Sequence, residues 1–204
     1  RWETPKGSSL ALSLLLRPDF EAEHAPMLTL IMGMAACMAI EKITGLTAEI
    51  KWPNDVVINK KKTTGILTEM GMSEGKISYV VVGIGINLNM ESFPEELAYK
   101  ATSLKIECGH EINRDEIAAA LLFYFEQYYE KFEQTHNLGF LIEGYNNHLV
   151  NRGKEVLIKE KDGEYTGISR GINDKGELLV EKKDGNCVEI FSGEVSVRGL
   201  YGYV

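Results

Sequence analysis

Apolar and polar residues alternate along this chain in two rhythms, and the change between them comes near residue 150. Leu10 to Arg17 is a compact apolar run closed by Pro18, which predicts a short strand. From Pro26 to Ile43 the spacing turns helical. Met27, Ile31, Met34 and Met38 share one face, Leu30, Ala35 and Cys37 broaden it, and Gly45 supplies a stop. So wide a face predicts packing against a sheet, with the flexible methionines as core filler. Ala48 to Ile50, Val56 to Asn59 and Gly65 to Met70 predict successive strands, followed by a hairpin turn over Gly71 to Lys76. Ile77 to Val82 predicts a β-branched strand that runs into GIGINLN at 83–89. Phe93 to Leu97 and Glu107 to Asn113 read as loops. Arg114 to Lys131 predicts a long amphipathic helix with Ile117, Leu121, Leu122, Phe125 and Tyr128 inward, started by Asn113 or Asp115. A second helix is predicted from about Asn137 to His148, with Leu138, Leu141, Ile142 and Tyr145 inside.

Beyond Val150 every run is strand-like: Glu155 to Glu160, Glu164 to Ile172, Glu177 to Glu181, Val188 to Phe191 and Glu194 to Arg198. Gly-containing turns separate most of them, which predicts a small barrel-like β domain. The boundary falls at Val150 to Arg152, giving a first domain over 1–150 and a second over 151–204.

Composition narrows the class. The 204 residues suffice for a sizeable core, and 44% apolar with 25% charged residues is ordinary for a soluble protein. A net charge of -8 argues against general affinity for a nucleic acid backbone. Cys37, Cys108 and Cys187 are far apart and in no metal-ligand spacing, so they read as reduced thiols in a cytoplasmic protein. The apolar stretch near residue 30 runs into Glu41 and Lys42, as a buried helix would rather than a membrane span. No signal peptide is visible. The chain opens RWETPKG, which reads as the middle of a loop, so an N-terminal portion is expected to be missing.

The candidate chemistry lies in Lys51 to Met70, KWPNDVVINKKKTTGILTEM. Pro53 disfavours helix, and Asn54 and Asp55 bond readily to nearby backbone, so the corner predicts a structured turn between strands. One carboxylate and several ammonium groups then gather at strand ends. Chemistry on a phosphate needs such a cation, and a carboxylate to hold the accompanying metal. Of the three lysines, Lys62 is favoured because Thr63, Thr64 and Gly65 follow it and let a ligand approach closely. Lys60 and Lys61 equally suit a solvated turn, Asp55 suits a plain turn-former, Lys51 a strand-end snorkel and Trp52 the core. In GIGIN, Gly83 and Gly85 end a buried strand and admit something flat or polar. A dinucleotide fingerprint is excluded, because the third glycine is missing and Asn87 to Ser92 opens no helix. His24, His110, His136 and His148 are dispersed, which argues against a histidine-based site.

These motifs resemble the biotin–protein ligase family, biotin–[acetyl-CoA-carboxylase] ligases, over nearly the full chain. The likeness rests on KWPNDVVINKKKTTGILTE at 51–69, VVGIGINLN at 81–89, the opening RWETPKGSSLALSLLLRP and GEVSVRG at 193–199. The resemblance implies an α+β fold: a mixed central β-sheet with helices packed on it, of the class II aminoacyl-tRNA-synthetase-like, biotin–lipoate ligase type, followed by a small SH3-like β-barrel. It implies that biotin's carboxylate attacks the α-phosphate of ATP, with Mg²⁺, to form biotinyl-5'-AMP. A lysine of a biotin carboxyl carrier protein then displaces AMP. Lys62 is implied as the main catalytic residue, and Asp55 as a residue of both half-reactions, close to metal and phosphate. Gly65, Gly83, Gly85 and Lys51 are assigned to the substrate, and Trp2, Asn54, Asn87, Glu194 and Arg198 to the nucleotide.

The family has a Gly-Arg-Gly-Arg-type loop before the position of Trp2 and an earlier Thr-Asn strand, and neither is in these residues. A polypeptide of this sequence alone is therefore expected to be severely impaired. A lipoate ligase, or a biotin-sensing repressor with a helix-turn-helix in the missing portion, are the alternative functions. Monomer and two-fold dimer both suit the sequence.

Overall fold

The computed structural model describes residues 5–160, 163–191 and 196–199. The chain begins with β1 (Ser9–Leu16), a 3-10 turn (Ala22–His24) and α1 (Met27–Thr44). Then come β2 (Glu49–Lys51), β3 (Asp55–Ile58), β4 (Lys61–Ser73) and β5 (Lys76–Asn87). Four helices follow: α2 (Glu95–Ala98), α3 (Leu104–Cys108), α4 (Arg114–Thr135) and α5 (Ile142–His148). The last strands are β6 (Glu155–Glu160), β7 (Gly163–Ile172), β8 (Leu178–Glu181), β9 (Cys187–Ile190) and β10 (Ser196–Gly199).

The first sheet has the order β1-β5-β4-β3-β2, with antiparallel ladders throughout. Single parallel bridges at Ile50–Leu149 and Lys62–Ala101 add its mixed character. Alternation assigns its faces. Leu10, Ile66, Val82, Ile84 and Ile86 are buried with α1, while Ala11, Ser13 and Leu67 are exposed on the opposite side. The α1 helix is buried almost all round rather than along one stripe, because α4 and α5 also pack on it. It is long and apolar enough to cross a membrane, but 67% of its most apolar window is buried in the fold, as a core helix requires. Gly45 ends it with left-handed backbone (φ 71°), its N–H bonded to Glu41 O at 2.9 Å.

Several boundaries differ from expectation for local reasons. The strand expected from Gly65 begins at Lys61, because Asn59 and Lys60 alone make the hairpin loop, both with positive φ. The turn expected over Gly71 to Lys76 shrinks to two residues, since β4 and β5 pair as far as Ser73 and Lys76. Asn113 caps α4 by accepting from Asp115 N at 2.9 Å. That helix runs past Lys131 to bury Phe132, and it leaves Leu122 exposed instead of inward. Short helix α2 falls largely in the loop expected over Phe93 to Leu97, and α3 runs two residues into the loop expected from Glu107, started by Ser103, whose Oγ accepts from Ile106 N at 3.2 Å.

The second sheet overturns the SH3-like barrel. Its order is β10-β6-β7-β8-β9, an open antiparallel sheet in which β9 and β10 remain opposite edges among the described residues. A barrel would close these strands around their own interior. Here the apolar face of Val156, Ile158, Ile172, Leu178, Val180 and Ile190 joins the same core cluster as the first sheet, so it is buried without closure. The Asn173–Gly176 turn is the wedge between the two. Leu138 N donates to Asp174 O at 2.7 Å, and Trp52 Nε1 donates to Gly176 O at 3.0 Å. Gly176 has φ +80°, and a Cβ there would press on Leu30 at 2.9 Å.

Candidate active site

The Trp52-Pro53-Asn54 corner links β2 to β3, with a cis peptide between Trp52 and Pro53. Trp52 is buried and anchors the corner from below through its bond to Gly176. Asn54 holds it from above: Asn54 Nδ2 donates to Ile66 O at 3.1 Å, and Ile66 N donates to Asn54 O at 2.9 Å. The corner therefore delivers Asp55 at a defined height against β4. There the Lys62 ammonium pairs with Asp55 Oδ1. The carboxylate is nearly buried, whereas Lys62 keeps 30% of its side chain exposed, so the cation reaches the surface while its partner stays fixed.

Register builds the rest. One row across the sheet reads Ala11, Gly85, Gly65, Asp55, Lys51, and the next reads Ser13, Gly83, Leu67. The residues between β1 and β4 in these rows are nearly all small. They floor a groove of about 510 Å³ whose lining includes Asn54, Lys62, Gly65, Gly83 and Gly85. A Cβ at Gly83 would meet only Leu67 O at 3.5 Å and Ser13 Oγ at 3.7 Å, both ordinary contacts. The protein's own packing does not demand glycine there, so the space it leaves belongs to the groove. A flat or extended ligand can lie along the floor with its polar end at Lys62.

The other sequence candidates divide. Lys51 pairs with Asp55 in register but does not line the groove. Asn87 is buried at the end of β5, and its Nδ2 donates to Thr102 O at 3.0 Å, away from the floor. Trp2 and Glu194 lie outside the described residues, and Arg198 is defined by its backbone pairing with Leu157 in β10. Ser9, Ala11 and Ser13 of β1 line the groove and were missed. The alternation of small residues with Leu10, Leu12 and Leu14 was the available signal, masked by reading the run as uniformly apolar.

No cluster of three His, Cys, Asp or Glu side chains among the described residues can hold an ion unaided. Mg²⁺ in nucleotide sites takes one or two carboxylates, waters and substrate phosphates, and a lone Asp55 beside Lys62 fits that pattern.

Comparison with known proteins agrees with this geometry. Residues 1–87 match the biotin/lipoate A/B protein ligase family, and residues 153–198 match the biotin protein ligase C-terminal domain. The bifunctional ligase/repressor BirA of Bacillus subtilis is 36% identical over 96% of this chain and 60% of its own length. The chain thus spans about 60% of the curated relatives of this type. A biotin–[acetyl-CoA-carboxylase] ligase of Paracoccus denitrificans is 30% identical, covering 94% of this chain and 83% of the relative. The biotin protein ligase of Aquifex aeolicus in complex with biotin and ATP superposes with a TM-score of 0.82 at 32% identity, over 94% of this chain and 79% of that one. The groove, its lysine and these likenesses together make the chain a member of the biotin protein ligase family.

Proposed function

We propose that the protein is an ATP-dependent ligase that activates biotin as biotinyl-5'-AMP and transfers it to one lysine of a biotin carboxyl carrier protein. The Lys62–Asp55 pair at the head of a glycine-floored groove carries this reading. A carboxylate approaching a polyphosphate meets charge repulsion, and a preorganised ammonium offsets it where charge develops.

In the first step a biotin carboxylate oxygen attacks the α-phosphorus of ATP, the bond to the β-phosphate bridge breaks, and pyrophosphate leaves. Lys62 holds the carboxylate and the α-phosphate oxygens together. Gly65, Gly83 and Gly85 admit biotin along the floor, Lys51 adds positive charge behind Asp55, and Asn54 serves the nucleotide side. Asp55 would hold Mg²⁺ jointly with the phosphates, and the ion supplies charge neutralisation there. In the second step a neutral carrier amine attacks the acyl carbon, the acyl–oxygen bond to AMP breaks, and Asp55 orients the amine and accepts its proton. Residues 1–150 supply this site and 151–204 a smaller β unit docked against it, with Trp2, Glu194 and Arg198 serving the nucleotide. The protein acts in the cytoplasm, as monomer or homodimer, and without nucleic acid contact by these residues.

The deciding assay combines the full-length protein with biotin, Mg²⁺, ATP and a biotin carrier domain. It should release pyrophosphate and AMP and add one biotin to the carrier. No biotin-dependent pyrophosphate would end the proposal. A lipoate ligase is the competing reading, since the matching family model spans both activities. Biotin, and not lipoate or octanoate, should raise the melting point, because a ligand that binds only the native state stabilises it by mass action.

A further inference from the structure

The hairpin that delivers Lys62 turns through Asn59 (φ 49°) and Lys60 (φ 63°). Two successive positive φ values are the geometry of a type I′ turn, favourable for Asn in the first position and unfavourable for a lysine where glycine is usual. Such a turn gains from outside support, and one carboxylate of α3 provides it. Glu107 Oε2 accepts from Asn59 Nδ2 at 2.5 Å, and Oε1 accepts from Thr102 Oγ1 at 2.6 Å. Thr102 is itself buried and grips the lysine's backbone: its N–H donates to Lys62 O at 2.9 Å, while Lys62 N donates to Lys100 O at 2.8 Å. Asn87 fixes the same segment from β5 through its bond to Thr102 O. Glu107 is thus tied both to the tip of the hairpin and to the strip of chain flanking Lys62.

We infer that Glu107 is a positioning residue for Lys62, setting through Asn59 and Thr102 where the ammonium stands relative to Asp55 and the groove. The inference rests on the ligase reading. Glu107 does not line the groove and touches no reacting atom. Its effect is geometric, and a displacement of about 1 Å at a reacting group costs up to about a hundredfold in rate. Glutamine can keep both bonds, accepting from Asn59 and donating to the Thr102 hydroxyl, whereas alanine keeps neither.

The test is single-turnover pyrophosphate release by the full-length protein at saturating biotin and ATP, alongside biotin affinity and melting point. Glu107→Ala should lower the rate constant by about ten- to a hundredfold while biotin affinity stays within about threefold. Glu107→Gln should return the rate to within about threefold of the wild type. Should Glu107→Ala fail to fold, Asn59→Ala removes one of the two bonds at an exposed turn and should slow release by about fivefold with biotin affinity unchanged. A normal rate in the variant measured, or a Gln variant as slow as the Ala variant, overturns the positioning role. A wild-type protein that releases no pyrophosphate overturns the ligase reading instead, and the role with it.

Discussion

The two faces of the first sheet are built from the same strands and do opposite work. On one face, Leu10, Ile66, Ile84 and Ile86 sit against α1 with almost no exposure. On the other, one residue away in each strand, Ala11, Gly65, Gly85 and Gly83 leave a groove. Because successive side chains point to opposite faces, the side chains packed on α1 and the small residues that floor the groove alternate along these strands. A substitution at Val82, Ile84 or Ile86 of β5 should therefore act on folding, and one at Gly83 or Gly85 on binding.

The sharpest test of that separation is Ile86→Ala, which opens a cavity at a fully buried position and should cost about 2–5 kcal/mol of stability. Denaturant unfolding measures it. Cys37 offers a second readout: burial pushes its thiol well above the ordinary range, with Glu41 and Glu49 adding to the effect. Native alkylation of Cys37 should be slow and should accelerate in Ile86→Ala, while exposed Cys187 reacts at an unchanged rate.

Next in size is Lys62→Ala. It should lower adenylate formation by at least about a hundredfold, the scale of losing one charge-stabilising donor. Pyrophosphate release in a single turnover, run apart from transfer of preformed adenylate, isolates the step. If Lys61→Ala proved the slower variant, the wrong lysine would have been assigned.

Gly85→Val should act more modestly, weakening biotin by roughly tenfold through lost groove volume while leaving stability within about 1 kcal/mol. Calorimetric titration with biotin reads the first effect and thermal melting the second. A loss of stability comparable to Ile86→Ala would show that the two faces are not separable. The smallest effect is reserved for Lys60→Ala, at the exposed turn, which should change the rate by less than about threefold.

Much of this arrangement was legible in the residues. The KWPND corner announced a structured turn, and Lys62 and Asp55 do meet across β3 and β4. The end of α1 was readable because Gly45 marks it. The end of α4 was not, because His136 supplies the left-handed residue there without a glycine (φ 51°). Asn87 looked like a ligand contact from its motif, yet its partner Thr102 lies 15 residues along the chain and no local pattern announces that bond. The expected barrel failed for a related reason. Period-two strands and Gly turns specify a sheet, but whether it closes depends on what else covers its apolar face. In this chain the covering is provided by the rest of the molecule.

That dependence bears on how the protein can be divided. The indole of Trp52 sits at the corner between β2 and β3, and its acceptor is a carbonyl more than a hundred residues downstream, in the turn that also fills the space beside Leu30. A proteolytic cut after Val150 would not release two self-sufficient modules. Separating the two pieces would strip a donor of its acceptor in a dry environment and uncover Leu30 of α1, loosening the corner that carries Asp55. The second sheet is in this sense a structural chaperone held permanently in place, and the two sheets should melt as one cooperative unit.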